Sequence, residues 1–550
     1  MRVLSAAEMQ ACDRATTERF GVPSLKLMRA ASAAVAAFAR EQFPKAQRVT
    51  VLCGRGNNGG DGLMTARMLA TAGLKVTTVL LGTPEGMAGD AAAAWRELAS
   101  PAHGLIHIVK TAEELYQFNT ALQTDLIVDA VVGTGFTPPL KGMALAALDW
   151  IKGSTAPVLA IDLPSGWPAD ETAPSIQGRV FPADAVITFT APKPAHVFGQ
   201  LTRRWSQPIV VAPIGSPEAA IVSEQGLSWA GSSHAITEAP RPADSNKGKF
   251  GHVLVVGGSI GKSGAPAMTS LTALRAGAGL VTAAIPSPIL AQVAAFVPEL
   301  MTWPLAASTT GQVAAKRLAP EQFAALTAGK TVMAVGPGMG QSAGTVKFFA
   351  SLLAETKIPA VIDADALNIL AANPPLLAKA AKLAKAGRTI VMTPHPGEMA
   401  RLMGKTIAEI QANRPEAARS FACENGITLV LKGWRTLIAH PDGAIAVNTT
   451  GNPAMAKGGS GDMLTGLIAG LLAQYPDETP RAVEAAVYLH GLAADLAVRE
   501  VDEHTLLATD TLRHFSRAFR FRSRHRNGYV WLQGLAAESL AATRTHEAPE

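Results

Sequence analysis

Cysteine, charge and aromatic side chains are all scarce in this sequence, and each shortage narrows the range of functions. The three cysteines, Cys12, Cys53 and Cys423, lie far apart and form no CxxC pair, so no disulfide framework is available and a reducing, cytoplasmic setting is expected. Charged residues make up 17% of the chain and the formal net charge is +6, a basicity too dilute to argue for nucleic acid. An anionic small molecule fits equally well. Long apolar runs are missing too. Residues 1–10 contain no apolar stretch of the kind a secretory leader uses, and the alanine-rich stretch 30–39 is short and bounded by Arg29 and Arg40, so no membrane partner is expected. What remains is a chain of 550 residues, 48% hydrophobic. That is longer than one core usually organises, and two domains are expected.

The pattern along the chain is α/β. Ser5 followed by Glu8 resembles a capping box, and Leu27, Ala30, Ala31, Ala34 and Phe38 share one helical face. Short β-branched runs then recur at 49–53, 76–81, 125–132, 157–163 and 185–190, separated by helical or glycine-rich segments. Such alternation predicts a parallel sheet with helices on both faces, with ligands at the carboxyl ends of the strands. A second series occupies 252–257, 331–335, 359–362, 389–392 and 427–431. The expected layout is an N-terminal domain over 1–220, a proline-rich linker over 221–245, a second domain over 246–515 and a basic tail over 516–550. Arg520-Phe-Arg-Ser-Arg-His-Arg526 reads as a solvated edge or a domain-packing tail rather than a nucleic-acid contact. His103 and His107 stand four apart beside Pro101 and Gly104 with no third ligand, so no metal pair is assigned.

Three segments at strand ends mark the first domain. Cys53-Gly-Arg-Gly-Asn-Asn-Gly-Gly-Asp-Gly62 follows the first strand, Asp129-Ala-Val-Val-Gly-Thr-Gly-Phe-Thr-Pro-Pro139 the third, and Asp162-Leu-Pro-Ser165 the fourth. Glycines admit a ligand to the backbone, while the amides and carboxylates supply polar contacts. This is not the GxGxxG dinucleotide fingerprint. The oxygens of Asn58, Asp129 and Ser165 suit a monovalent or divalent cation. Each segment alone is compatible with ordinary turn chemistry; the three together favour a site.

These segments resemble the NAD(P)HX epimerase family, whose fold is Rossmann-like and whose members interconvert the R and S hydrates of reduced nicotinamide cofactors. The resemblance implies that Asn57, Asn58, Gly59, Gly60 and Asp61, with Gly133, Thr134, Gly135, Phe136, Thr137, Pro138, Pro139 and Asp162, contact the hydrated dinucleotide. It also implies that Asn58, Asp129 and Ser165 hold K+. Asp162 is the expected acid–base group.

In the second half, Lys457-Gly-Gly-Ser-Gly-Asp-Met-Leu-Thr-Gly466 precedes apolar positions at helical spacing, so the loop sits at a helix start where unpaired N–H groups attract an anion. Alone, it reads equally as a capped glycine turn. Gly264-Ala-Pro-Ala-Met268, Val335-Gly-Pro-Gly-Met-Gly340, Asp363-Ala-Asp-Ala-Leu-Asn368, Thr393-Pro-His-Pro-Gly-Glu398 and Leu431-Lys-Gly-Trp-Arg-Thr436 accompany it. Lys432 and Arg435 at a strand end suit nucleotide phosphates.

In series, these segments resemble the ADP- or ATP-dependent NAD(P)HX dehydratase family, a branch of the ribokinase-like fold. The resemblance implies that Ala265, Gly340, His395 and Asp462 contact the hydrated dinucleotide and that Lys432, Gly433, Trp434, Arg435, Thr436 and Gly461 bind the nucleotide, with Mg2+ accompanying ADP or ATP. Asp462 is the expected catalytic base. His490, on an alanine-rich helix, is expected in the core rather than the site. The expectation is an epimerase fused to a dehydratase, assembled as a homo-oligomer. Two rivals remain open: a ribokinase-like small-molecule kinase with a regulatory N-terminal half, and a non-enzymatic reading in which the N-terminal half is a binding or scaffold module.

Overall fold

The computed structural model describes residues 1–98, 104–314, 318–525 and 527–535; His103 and Arg526 lie outside the described residues. The described residues divide into two compact units, one formed by residues up to 227 together with 522–525 and 527–535, the other by those between 228 and 521. No helix among the described residues is long and apolar enough to cross a membrane.

In the first unit, the Ser5 hydroxyl accepts from Glu8 N at 3.2 Å and the Glu8 carboxylate accepts from Ser5 N at 2.7 Å. This reciprocal pair starts the helix Ala6–Glu18. Leu27, Ala31, Ala34 and Phe38 face inward on the helix Ser24–Gln42, with Ala30 at the margin. Seven parallel strands follow: β1 (Arg48–Cys53), β2 (Lys75–Leu81), β3 (Leu105–Val109), β4 (Leu126–Ala130), β5 (Val158–Ile161), β6 (Ala185–Phe189) and β7 (Ile209–Ala212), in spatial order β7-β6-β5-β4-β1-β2-β3. Along β1, Val49, Val51 and Cys53 belong to one core and Leu52 to another. Both faces of the sheet are therefore covered, as near-continuous apolar strands require. The strand order reverses between β1 and β4, and the crevice at such a point receives ligands.

The second unit contains a ten-stranded sheet: β8 (Leu227–Trp229), β9 (His252–Val256), β10 (Leu280–Pro286), β11 (Met301–Leu305), β12 (Val332–Val335), β13 (Ala360–Ile362), β14 (Ile390–Met392), β15 (Thr428–Leu431), β16 (Leu437–Ala439) and β17 (Ile445–Val447). Their order is β11-β10-β9-β12-β13-β14-β15-β16-β17-β8. Neighbours from β11 to β15 run parallel, while β16 and β17 run antiparallel. Beneath the sheet, the helix Ser460–Gln474 packs tightly against Gly264–Arg275. A side chain at Gly466 would stand 2.2 Å from Thr269 O, and one at Gly470 would stand 2.6 Å from Ala276 Cβ. Glycine is tolerated mid-helix here because only a missing side chain allows this approach.

Two segments differ from the sequence-based layout. Within 221–245, the strand β8 and a 3-10 helix Ala230–Thr237 contribute ordered structure, which a three-residue run, Leu227-Ser-Trp229, beside glycines and serines did not announce. Within 516–550, the helix Phe515–Arg520 is followed by β18 (Val530–Gln533), which pairs antiparallel with β7 at the edge of the first unit's sheet. Tyr529 and Trp531 enter that unit's core while Arg520, Arg522 and Arg524 stay exposed, so of the two expected readings the described part of the tail packs on the domain through an aromatic strand.

Candidate functional site

In the first unit, the glycines after β1 permit close packing. A Cβ at Gly59 would lie 1.9 Å from Gly54 O, and one at Gly54 would lie 2.0 Å from Val131 O, so the helix Asn57–Thr71 starts directly against the ends of β1 and β4. Gly133 sits between two candidate side chains: its Cβ would stand 3.1 Å from Asn58 Cγ and 3.2 Å from Asp162 Oδ2. Asn58, Gly133, Thr134 and Asp162 therefore meet. Gly135, Thr137, Pro138 and Pro139 continue as an exposed loop, with Phe136 half-buried.

Asp162 follows β5 with φ 64°, a left-handed conformation in which a non-glycine residue is strained. Its surroundings account for the retention. Thr134 N donates to Oδ2 at 3.1 Å, as does the Thr134 hydroxyl, while Thr188 Oγ1 and Lys193 Nζ donate to Oδ1 at 2.9 and 2.8 Å. Lys193 N donates to His196 Nδ1 at 2.9 Å, so Nε2 carries the proton that reaches the Asp162 carbonyl at 2.7 Å. Burial alone would raise the Asp162 carboxyl, but Lys193, His196 and Thr134 hold it well below the usual range. Asp61 lies at the opposite extreme, pushed well above its ordinary value by burial and then by Asp162, Asp13 and Asp90.

Beside this crevice, Asp129 is fully buried. It accepts from Ser165 Oγ at 2.6 Å, Ser165 N at 2.8 Å and Val131 N at 3.2 Å, and burial pushes its carboxyl up to about 6 despite those donors. The buried Asn58 Nδ2 has no hydrogen-bond partner. Amide nitrogen and oxygen are assigned from their partners; turned over, this end offers oxygen beside a carboxylate and a hydroxyl.

In the second unit, the residues just beyond three neighbouring strands converge: Asp363 after β13, Thr393 after β14 and Lys432 after β15. Asp363 accepts from Thr393 Oγ1 at 2.7 Å, Thr465 Oγ1 at 2.8 Å and Lys432 Nζ at 3.0 Å. Glu398 lies 3.7 Å from the same ammonium. Asp462, in the first turn of the helix Ser460–Gln474, is pushed up to about 7 by burial and then by Asp363 and Asp365, with Lys432 opposing. A Cβ at Gly461 would lie 3.5 Å from Lys432 Nζ, which places the helix start, the ammonium and the catalytic candidate together.

Ala265 lies in the first turn of the helix Gly264–Arg275, which contacts Asp462, whose carbonyl accepts from Thr269 Oγ1 at 3.0 Å. Gly340, at φ 73°, donates its N–H to Asp365 Oδ2 at 2.9 Å. His395 has an exposed ring but also caps a helix, its Nδ1 accepting from Gly397 N at 3.0 Å and Glu398 N at 3.3 Å. Arg435 turns inward: it is buried, donates to Thr449 O at 2.6 Å and stacks on Trp434 at 4.5 Å. Gly433 and Thr436 complete this turn. His490 is buried and its basicity is pushed down to about 4 by burial and by Lys432. Sequence reasoning missed Lys193, Thr188, His196 and Asp13, which no motif marks.

Two family models match the chain: YjeF-related protein N-terminus over residues 24–195 and NAD(P)H-hydrate dehydratase over 253–517. The bifunctional NAD(P)H-hydrate repair enzyme of Moorella thermoacetica is 38% identical over 532 residues, covering 93% of this chain and 95% of that one. Its Escherichia coli counterpart is 34% identical over 509 residues, covering 92% and 91%. The crystal structure of the Bacillus subtilis ADP/ATP-dependent NAD(P)H-hydrate dehydratase with ATP/Mg2+ is 32% identical, with TM-score 0.44, covering 53% of this chain and 97% of that one. The chain belongs to the family of bifunctional NAD(P)H-hydrate repair enzymes.

Proposed function

We propose that the first unit interconverts the R and S hydrates of NADH and NADPH, and that the second unit dehydrates the S form at the expense of ADP or ATP. The observation that carries this reading is Asp462, a carboxyl poised near neutrality at a helix start beside Lys432 and the Gly459–Ser460–Gly461 loop. A hydroxyl leaves poorly, so it is phosphorylated first. Asp462 takes the hydroxyl proton as the substrate oxygen attacks the terminal phosphorus of the nucleotide, and the loop amides with Lys432 hold the transferring group. Phosphate then departs with the C–O bonding pair as the neighbouring carbon loses a proton, restoring the ring double bond. Mg2+ arrives with the nucleotide as part of the co-substrate. Ala265, Gly340 and His395 hold the dinucleotide, while Gly433, Trp434, Arg435 and Thr436 form the nucleotide turn, Arg435 through its backbone.

In the first unit, residues 57–61 and 133–139 cradle the hydrated dinucleotide. Inversion breaks the C–O bond and reforms it on the other face, with one proton given to the departing oxygen and one taken from the returning water. Asp162, tied to Lys193 and held ionised, suits an anchoring role. Asp61, which retains its proton far more readily, suits the proton transfer. Asn58, Asp129 and Ser165 would hold K+, a fit supported by the orphaned Asn58 amide end and the buried Asp129 carboxylate; the ion would neutralise that carboxylate and brace the two loops. The free thiols fit a cytoplasmic setting.

Incubation with mixed NADHX epimers, with and without ADP or ATP, tests the reading by the absorbance of reduced nicotinamide. Full conversion is expected with nucleotide. Conversion of only about half, under conditions where spontaneous epimerisation is slow, removes the first activity, and no nucleotide-dependent recovery removes the second. A stable phosphorylated product in place of reduced nicotinamide would indicate a small-molecule kinase.

A further inference from the structure

We propose that Asp363 is a positioning residue for phosphoryl transfer, anchoring Lys432 against the Gly459–Ser460–Gly461 loop while placing negative charge behind Asp462. This rests on the dehydratase reading of the second unit. The geometry is that of a rigid post. Asp363 is 1% exposed, stands at the first position beyond β13, and has both carboxylate oxygens occupied by donors from three other segments: Thr393, Lys432 and Thr465. Lys432 has no freedom to choose another position, because Asp363 at 3.0 Å and Glu398 at 3.7 Å share its ammonium.

The arrangement serves two ends. The ammonium is fixed on the side of the loop where a phosphoryl group is held, so its charge needs no reorganisation during transfer. Asp462 does not receive the lysine as a partner of its own. The charged and titratable groups around it are Asp363 just beyond β13, Asp365 in the first turn of the helix Ala364–Ala372, Lys432 with Glu398 and His395 behind it, Lys262 bonded to Asp365 at 3.4 Å, and His490 near Lys432 from the helix Thr479–Ala497. With more negative than positive charge nearby, the Asp462 proton is retained until near neutrality. A carboxylate that accepts a proton readily is what activation of an alcohol requires.

The test uses the full-length protein and reads nucleotide-dependent recovery of reduced nicotinamide from the S hydrate between about pH 5.5 and about pH 9. The unaltered protein should show an acidic limb near 7. Asp363→Asn should move that limb downward by on the order of one pH unit, and should lower the plateau by about 10²-fold as Lys432 loses its anchor. Lys432→Gln should move the limb upward, the opposite direction. A lowered plateau with an unmoved limb in Asp363→Asn means a merely structural role and overturns the proposal, as does an upward shift. The calorimetric unfolding transition of the second unit, followed in the full-length protein, reports whether the variant has folded. If Asp363→Asn does not fold because Lys432 is left buried without its partner, the neutral pair Asp363→Asn with Lys432→Gln replaces it. Its limb must then lie below that of Lys432→Gln alone; equal limbs overturn the proposal. Absence of recovery in the unaltered protein would instead remove the dehydratase reading itself.

Discussion

Trp531→Ala tests the placement of the chain's last described strand in the first unit. Trp531 is 5% exposed, meets Phe38 edge-on at 6.0 Å and stacks on His525 at 5.4 Å. Its neighbour Tyr529 donates to Ala34 O at 3.1 Å, and Gln533 Nε2 donates to Gln207 O at 2.8 Å. Truncating a buried tryptophan costs about 3–5 kcal/mol, and an edge strand that can partly collapse belongs at the lower end. For a unit of this size, about 3 kcal/mol corresponds to a fall in Tm of roughly 6–12 °C. The assay is thermal inactivation of the epimerase activity in the full-length protein, alongside calorimetry. Tyr529→Phe, which deletes one hydrogen bond, should cost about 1 kcal/mol and roughly 2–4 °C. Arg522→Ser with Arg524→Ser should shift the transition little. An unchanged inactivation temperature in Trp531→Ala, or an equal fall in the arginine variant, would refute burial of the aromatic strand as the cause.

Three further outcomes follow from the geometry. Asp462→Asn should lower nucleotide-dependent recovery of reduced nicotinamide by about 10²–10⁴-fold while leaving epimerisation intact, as read by chromatography of the two epimers; loss of both would argue against independent sites. KCl, compared with choline chloride, should stabilise the first unit, by about 2.7 kcal/mol at a hundred times the dissociation constant, and Asp129→Asn should abolish that difference in a thermal melt. Gly466→Ala should destabilise the second unit by about 1–3 kcal/mol in urea, since the added methyl would meet Thr269 O at 2.2 Å; an unchanged midpoint would mean that the two helices can separate freely.

Much of this was legible in the sequence because short β-branched runs, each followed by glycine, encode strands whose ends are approached by ligands. The 53–62, 129–139 and 457–466 segments were visible for that reason. What stayed hidden depended on partners distant along the chain. Lys193 lies 31 positions from Asp162 and Lys432 lies 69 from Asp363, and no local period reports such pairings. Lys193, flanked by prolines, has the composition of an ordinary turn. The strands β8 and β18 escaped notice because they are short edge strands, and in the second case because the preceding arginines dominated the composition. The inward turn of Arg435 was equally hidden, since a sequence does not say whether a guanidinium at a strand end faces ligand or core.

The two central aspartates show why residue type alone does not assign a chemical role. Asp162 and Asp462 both sit at the carboxyl edge of a parallel sheet, each within the influence of one lysine. Lys193 bonds directly to Asp162 at 2.8 Å and Thr134 and Thr188 fill the remaining acceptor positions, so ionisation is favoured and proton uptake is suppressed. Lys432 is bonded to Asp363 instead, with Glu398 on its far side, so Asp462 receives only part of the lysine's field and none of its hydrogen bonds. Moving one ammonium from one carboxylate to its neighbour thus converts an anion anchor into a proton acceptor. Under the function proposed above, that difference in lysine placement suits Asp462 rather than Asp162 to take up a proton near neutral pH.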